Sequence, residues 1–292
     1  MAPAPPHSPT ARRSSTGGWL AILGCLLLGF QVLLAFGFEA VNGRRAVGAF
    51  LALLLASFLV YGLALWMVHR RPRPGPGMLL GIGVVALLAR LVMIPAGLAP
   101  GEGLGSLPAD LRGERVVFER FLLYDQDLWR FLWDGHLTAH GQNPYLSTPE
   151  EVEDAAAEGS ASARELLDEG LWPEIFENVA FRDHRTVYPP GAQLAFALAS
   201  GLAPGSVVVW KLLLLALDLA VCWFLGLLLR RLGHDPALVL AYAWNPLVLK
   251  EVVGSGHFEA LPALALVATA LALATARPRC ASTAFAGAVL AK

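Results

Sequence analysis

Charged residues are scarce in this chain. Of its 292 residues, 15% are charged and 56% are hydrophobic, and the mean hydropathy is +0.56. Soluble domains have roughly 25% charged and roughly 45–50% apolar residues. The composition therefore argues against an ordinary soluble domain, and it excludes disordered and collagen-like chains as well.

Basic clusters and cysteine motifs are also missing. The net charge is -1 and the isoelectric point is about 6.7, so there is no basic surface to attract nucleic acid. We therefore expect no nucleic-acid partner. The cysteines stand in or beside apolar runs, at spacings that match neither a metal knuckle nor a disulfide framework. They are Cys25, Cys222 and Cys280.

Long hydrophobic runs dominate the sequence instead. A membrane crossing takes about 20 apolar residues, and the runs predict six or seven spans in an all-α polytopic membrane protein. We expect a disordered cytoplasmic tail over residues 1–18, three spans within 19–99, an outer loop over 100–205 and further spans within 206–292. The runs are Trp19–Phe38, Ala46–Val68, Met78–Ala99, Ser206–Leu229, Ala237–Val253, Leu261–Ala276 and a last one that begins near Thr283.

The last apolar run is abandoned at Lys292. Its roughly ten residues are too few to cross a hydrocarbon core of about 30 Å. We therefore expect this sequence to be a fragment that is truncated at its C-terminal end.

The distribution of charge predicts the orientation. Loops rich in Lys and Arg tend to stay on the cytoplasmic side, and most arginines near span ends can be placed there together, although Arg44 and Arg45 dissent. Residues 100–205 then lie outside, and the stretch from Glu102 to Asp183 holds 18 of the 23 acidic residues. The run Gly191–Ala203 is short for a crossing, so we interpret it as an interfacial or re-entrant helix.

The outer loop contains one amphipathic segment with acidic and aromatic residues. At 100° per residue, Leu128, Trp129 and Leu132 occupy one face of a helix. We expect this helix to lie along the membrane surface, with its tryptophans at headgroup level and its carboxylates facing a cleft. The opposite interpretation is an ordinary exposed ion pair between residues 127 and 130. The polar face holds Asp127, Arg130, Phe131, Asp134 and Thr138.

Metal ligands are suggested only weakly. His136 and His140 have the i,i+4 spacing of zinc ligands, but a glutamate between them and an obvious third ligand are missing. Asp125 and Asp127 form an Asp-x-Asp pair that can hold a divalent cation through oxygen atoms, and such pairs are common by chance. We expect no cofactor, with a divalent cation left open.

Ionisable residues interrupt the later apolar runs. Lys250, Glu251, His257 and Glu259 stand near membrane depth, where charge is expensive and usually faces a cavity or a partner. The alternative is that Lys250 and Glu251 reach to the interface and pair with each other. Asp218 and Lys211 lie seven residues apart on one helix face, and we interpret them as polar packing contacts.

Five short fragments follow one another along the chain. They are Asp127-x-x-Arg130-Phe131-x-Trp133-Asp134-Gly135, Gly141-x-Asn143-Pro144-Tyr145, Tyr188-Pro189-Pro190, Trp244-Asn245-Pro246 and Gly256-His257-Phe258-Glu259. Their order and spacing resemble those of polyprenyl-phosphate-sugar-dependent glycosyltransferases of superfamily C, especially bacterial mannosyltransferases. This chain departs from that pattern by having two extra spans before the helix that leads into the loop, and by lacking the C-terminal half.

The resemblance implies a bundle of ten or more membrane helices in a bacterial plasma membrane, and an inverting transfer of a sugar from a polyprenyl-phosphate donor to a glycolipid or glycan. It implies mannose as the sugar and a loop aspartate as the base, which Asp127 matches best. The other candidate residues would bind the substrate or its phosphate. They are Arg130, Asp134, Tyr188, Lys250, His257 and Glu259.

A second class of function fits the same apolar helices. A transporter or flippase of lipid-linked sugars, or a scaffold whose outer loop binds glycans, would bind or move its substrate without turnover. Asp127→Asn separates the two classes, because only an enzyme needs the base.

Overall fold

A computed structural model of the chain describes residues 10–37, 44–70, 75–95, 127–168 and 170–292, and in these residues every regular element is a helix. The predicted all-α membrane fold is confirmed. Helix α1 begins inside the expected tail, at Thr10. The α-helices are α1 Thr10–Phe36, α2 Arg44–His69, α3 Pro76–Met93, α4 Asp127–Ala139, α5 Pro149–Ala157, α6 Ala161–Asp168, α7 Trp172–Asn178, α8 Pro190–Leu202, α9 Val207–Arg231, α10 Leu240–Ala243, α11 Pro246–Val248, α12 Ala260–Ala274 and α13 Pro278–Ala291. A 3-10 helix, Pro236–Val239, precedes α10, and a π-helix, Leu249–Gly254, follows α11.

Four helices among the described residues are long and apolar enough to cross a membrane. They agree with the first four predicted runs, and their spanning parts are Gly17–Phe36, Val47–His69, Pro76–Met93 and Val207–Arg231.

The predicted span Leu261–Ala276 is shorter in the structure. Helix α12 has 15 residues and is therefore roughly 22 Å long at about 1.5 Å per residue, which is less than the hydrocarbon core. It ends because Ala276 adopts a left-handed φ of 55° and Arg277 N bonds back to the Ala272 carbonyl. Pro278 then starts α13, which packs against α12 as the second arm of a hairpin.

The predicted span Ala237–Val253 is broken in the structure. Its two parts, Pro236–Ala243 and Pro246–Gly254, meet at an angle of 51°. Pro246 lacks the N–H that would continue the first part, and the Asn245 side chain accepts a hydrogen bond from Leu247 N, which caps the second part. With this bent pair counted as one span, the described residues contain up to five, fewer than predicted.

The short helices α5–α7 form a lobe that covers α4. Thr148 and Glu151 start α5 with a reciprocal capping box, and Phe176 of α7 packs on the ring of Trp133 at 5.0 Å. This corrects the prediction that the tryptophans of α4 lie at headgroup level. Trp129 and Trp133 are both buried in the protein core, and Phe176 from the same loop covers Trp133.

Helix α8 lies against α4 and α13 at two glycines. A Cβ atom on Gly135 would be 2.5 Å from the Phe196 carbonyl oxygen of α8, and one on Gly191 would be 2.6 Å from the Leu290 carbonyl oxygen of α13. Both positions therefore require glycine, because only a residue without a side chain allows the backbones to approach so closely. Through these contacts α8 connects the polar loop to the apolar helices.

We expect Gly135→Ala to lower the free energy of unfolding by about 1–3 kcal/mol, because the added methyl group overpacks the contact between α4 and α8. The measurement is the thermal midpoint of the purified protein in detergent. Gly201→Ala is the matched control, since Gly201 is also helical and has no atom near its added methyl group. Equal midpoints for the two variants would contradict the expected close approach.

Candidate functional site

One cavity collects four of the predicted site residues. Asp127 at the start of α4, Tyr188 before α8, and His257 and Glu259 before α12 line a space of about 280 Å³. Three of the five sequence fragments thus meet at this cavity, although Asp127 and Glu259 are 132 residues apart in the chain. The remaining lining residues are Phe131, Val187, Pro189, Phe258 and Lys292.

The ring of Phe131 forms the floor on which these segments pack. It stacks on Phe196 of α8 at 4.8 Å and meets the edges of Tyr188 at 5.0 Å and Phe258 at 5.5 Å. The imidazole of His257 lies 6.4 Å away, edge to face. Such aromatic pairs contribute beyond their buried area, so this cluster holds the polar side chains of the cavity in fixed relative positions.

Asp127 and Tyr188 are coupled directly. The Tyr188 hydroxyl donates a hydrogen bond to the Asp127 carboxylate. The pKa of Tyr188 is raised above its ordinary 10, chiefly by burial and then by the charges of Asp127 and Asp134. The phenol therefore stays protonated at physiological pH and orients the carboxylate as a permanent donor.

The Asn-Pro-Tyr fragment, Asn143 to Tyr145, binds the backbone of Tyr188. The Tyr145 hydroxyl donates to the Tyr188 carbonyl oxygen at 2.6 Å, and the Asn143 side chain accepts from Tyr145 N at 3.0 Å. Gly141 enters this turn with a φ of 73°, a conformation that glycine adopts without strain. In the described structure the Asn-Pro-Tyr fragment thus holds the segment that carries Tyr188.

Arg130 and Asp134 lie beside the cavity, in a buried polar network. The Arg130 Nε donates to Asp134 Oδ1 at 2.8 Å, and its two terminal nitrogens donate to the Phe181 and His184 carbonyl oxygens at 3.3 and 3.0 Å. Gln193 of α8 donates to the other Asp134 oxygen at 3.0 Å. This network ties α4 to α8 and to the segment before it. The pairing is therefore i,i+4 from Arg130 to Asp134, and both groups are buried.

Lys250 and His257 share one carboxylate. Lys250 Nζ lies 3.0 Å from Glu251 Oε1, and His257 Nδ1 lies 2.7 Å from Glu251 Oε2. The predicted pairing of Lys250 with Glu251 is thus present, and it extends to the imidazole that lines the cavity. Gly256 allows this turn with a φ of 82°, and its carbonyl oxygen accepts from Trp210 Nε1 of α9 at 2.7 Å.

Glu259 lies at the exposed rim of the cavity. Its carboxylate pairs with Lys292 Nζ at 2.7 Å, and both side chains are about half exposed. The same ammonium group lies 5.5 Å above the ring of Phe258. At this exposure the pair contributes little to stability, but it adds one charge of each sign beside the cavity.

The suggested metal ligands are placed as follows. Asp125 lies outside the described residues. His136 stacks on Trp172 at 3.6 Å, its Nε2 is 3.2 Å from the Leu166 carbonyl oxygen, and His140 Nδ1 is 2.9 Å from the His136 carbonyl oxygen. Within the described part of the chain, no three His, Cys, Asp or Glu side chains are grouped to hold a metal ion.

Sequence reasoning missed how much of the site is aromatic and indirect. Phe131 was placed on a helix face and in the first fragment but was given no role, and Trp210 and Gln193 were not singled out at all. No local pattern marks Gln193 or Trp210, because their partners Asp134 and Gly256 are 59 and 46 residues away. Phe131 had one signal, its place between Arg130 and Asp134 in the first fragment.

Comparison with known proteins identifies the family of this chain. Residues 121–292 match the family model described as alpha-(1->6)-mannopyranosyltransferase, N-terminal domain. The chain belongs to this family. The matched residues are more than half of the chain and contain all five fragments and the whole cavity lining. Searches of curated proteins and of solved structures returned no match.

Family membership makes this protein a membrane glycosyltransferase of the mannosyltransferase type. The predicted resemblance to superfamily C mannosyltransferases is confirmed at that level. The expected truncation stays a prediction, as do the roles of the individual site residues.

Burial of His136, which stacks on Trp172 of the lobe, makes the stability of the folded protein depend on pH. Its pKa is lowered from 6.5 to about 3, chiefly by burial and secondarily by His140, against a raising effect of the Leu166 carbonyl. The unfolded chain therefore takes up a proton on this residue before the folded chain does, and stability falls as the pH drops from about 6.5 towards about 3.

We expect the thermal midpoint of the wild-type protein to fall more between about pH 7 and about pH 4.5 than that of His136→Phe, which keeps a ring against Trp172 but cannot titrate. His234→Phe, at an exposed histidine, is the control. Parallel acid profiles for the wild type and His136→Phe would show that His136 does not carry this linkage.

Proposed function

We propose that the protein transfers mannose from a polyprenyl-phosphate donor to a hydroxyl group of a glycolipid or glycan, with inversion at the anomeric carbon. The family description supports mannose and an alpha-(1→6) linkage. The observation that carries the proposal is the cavity in which the Asp127 carboxylate, the Tyr188 hydroxyl and the His257 imidazole meet.

The transfer is a single displacement. The acceptor oxygen attacks the anomeric carbon, the bond from that carbon to the phosphate oxygen breaks, and the phosphate leaves with the electron pair. The proton of the acceptor hydroxyl passes to the Asp127 carboxylate, which acts as general base. Tyr188 orients that carboxylate through its hydrogen bond, and the acceptor hydroxyl occupies the space in front of it.

The leaving group needs charge stabilisation more than protonation, because a phosphate on a lipid is already a good leaving group. The His257 imidazole lines the cavity, and the Glu251 carboxylate 2.7 Å from its Nδ1 favours positive charge on the ring. Lys250 pairs with the other oxygen of Glu251. In the reaction as proposed, His257 stabilises the negative charge of the leaving phosphate.

The size and walls of the cavity suit a monosaccharide. Its volume of about 280 Å³ lies near the lower bound of about 300 Å³ for small-molecule sites. Phe131 and Tyr188 offer apolar ring surface to a sugar, while Glu259 and Asp127 offer hydrogen-bond acceptors to its hydroxyl groups. Arg130 and Asp134 act as positioning residues, because their buried contacts hold α4 against the Tyr188 segment.

The position of the chain in the membrane completes the proposal. A polyprenyl chain reaches the cavity from the bilayer, so the donor headgroup is held where the loop meets the apolar helices. With the arginine-rich span ends in the cytoplasm, this side of a bacterial plasma membrane is the outer one.

Asp127→Asn tests the base. We expect transfer from radiolabelled polyprenyl-phosphate-mannose into lipid or polymer to fall by about 10²- to 10⁴-fold, the usual contribution of a general base. The assay uses membranes that contain equal amounts of wild-type and variant protein. Asp154→Asn, at an exposed position in α5, is the matched control and should keep full activity.

Each other outcome of the Asp127→Asn experiment contradicts part of the proposal. Equal transfer in the two proteins removes Asp127 from the mechanism. If neither protein forms product, but the donor binds to the protein or crosses the membrane, the result supports a transporter or a glycan-binding scaffold.

His257→Gln tests the stabilisation of the leaving phosphate. We expect kcat/KM for the donor to fall by about 10- to 150-fold, which is the loss of a charged hydrogen bond of about 1.5–3 kcal/mol. His234→Gln, at an exposed histidine, should match the wild type. If kcat/KM is unchanged in His257→Gln, the phosphate is stabilised elsewhere.

A further inference from the structure

The break in the bent pair Pro236–Ala243 and Pro246–Gly254 frees two carbonyl groups inside an apolar segment. In a continuous helix the Ala241 and Ala243 oxygens would accept from Asn245 N and Leu247 N. Here Asn245 N bonds to the Tyr242 carbonyl at 3.2 Å, and Leu247 N bonds to the Asn245 side chain at 3.0 Å. Unsatisfied carbonyl groups are costly in lipid, so the break needs donors from other helices.

Two neighbouring helices supply those donors. The Tyr61 hydroxyl of α2 donates to the Ala241 oxygen at 2.8 Å. The Arg90 guanidinium of α3 donates through Nη1 to the Ala243 oxygen, also at 2.8 Å. The two freed carbonyl groups at the bend are therefore satisfied by side chains.

A buried ion pair holds Arg90 in place. Its Nε lies 2.6 Å from Asp218 Oδ2 of α9, and both side chains are fully buried. The other Asp218 oxygen accepts from the Tyr242 hydroxyl at 2.6 Å, and Tyr242 lies within the first part of the bent pair. The Asp218 carboxylate thus joins α3, α9 and the broken segment at one point.

The segment beyond the break leads to His257 at the cavity. Lys250 and Glu251 belong to its π-helix, beside the cavity, and His257 follows Ala243 by 14 residues. The far end of the segment is held by α9 as well, because Trp210 donates to the Gly256 carbonyl. One helix therefore fixes the segment at both ends, through Asp218 and through Trp210.

A second contact sets α3 against α9. The Lys211 side chain is fully buried, and its Nζ donates to the Met93 carbonyl oxygen at 2.8 Å, at the C-terminal end of α3. The last carbonyl groups of a helix have no partner within the helix, so a side-chain donor from α9 satisfies one of them. The interpretation of Lys211 and Asp218 as polar packing contacts agrees with these bonds.

We propose that Arg90 and Asp218 are positioning residues for the reaction, because they hold the bend that places His257, with Glu251 in contact with its Nδ1, at the cavity. This inference rests on the proposed function. It assigns a role in turnover to an ion pair that contacts no substrate and lies in the apolar part of the protein.

The experiment compares single and double variants. Arg90→Met and Asp218→Asn each leave the other partner buried without its ion-pair partner, so both should lower the thermal midpoint strongly. The double variant Arg90→Met/Asp218→Asn has no buried charge in this pair and keeps an acceptor for Tyr242. Its thermal midpoint should recover most of that loss.

Activity separates positioning from folding. In the double variant we expect kcat to stay about 10- to 100-fold below the wild type, as for a displaced reacting group, with the KM for the donor little changed. Ser57→Ala is the control, since Ser57 is also buried and donates only to the Leu53 carbonyl of its own helix α2. That variant should keep its kcat.

A readout without substrate tests the same point. His257 should react severalfold faster with diethyl pyrocarbonate in the double variant than in the wild type, because its held position in a half-buried site is lost. Peptide mapping by mass spectrometry distinguishes His257 from the other histidines. Ser57→Ala should label like the wild type.

Two results would overturn the inference. One is a double variant whose kcat recovers together with its thermal midpoint, and the other is unchanged labelling of His257. If the wild type itself transfers no mannose, the proposed function fails, while the labelling result still decides whether Arg90 and Asp218 position His257.

Discussion

The packing around the Phe131 ring is the contact on which the site depends. Phe131 comes from α4, and the rings it touches come from the segment before α8, from α8 itself, from α9 and from the turn before α12. Aromatic rings bury a large area and have few rotatable bonds, so they place polar neighbours with little loss of conformational entropy. Asp127 and His257 face one cavity because the backbone of each leads directly into this cluster.

A second constraint comes from backbone polarity in an apolar environment. Each interruption of a helix in an apolar environment releases N–H and carbonyl groups that must be satisfied. In the described part of the chain this requirement accounts for several polar residues that stand within apolar helices. Tyr61, Arg90 and Lys211 donate to carbonyl groups at helix ends or at the break, and Asp218 fixes Arg90.

The sequence predicted several parts of this arrangement and misjudged others. The periodicity of α4 correctly grouped Arg130 with Asp134, because i and i+4 residues share a helix face. It did not predict that the guanidinium would turn to the carbonyl groups of Phe181 and His184, which lie more than fifty residues further on. The tryptophans of α4 were misplaced for the same reason, since both are buried in the core and Trp133 packs against Phe176, 43 residues further on. The broken span was predicted as continuous, although Asn245-Pro246 marked its turn.

The amino-acid sequence by itself determined the all-α membrane class, the first four membrane helices and the family, because these follow from local composition, helix length and the order of short fragments. The tertiary structure alone decided which of the predicted residues share a cavity. Asp127, Tyr188, His257 and Glu259 meet there, whereas Arg130, Asp134 and Lys250 do not line it. The physical reason is that these positions depend on packing and hydrogen bonds between residues far apart in the chain, and local periodicity carries no information about such contacts.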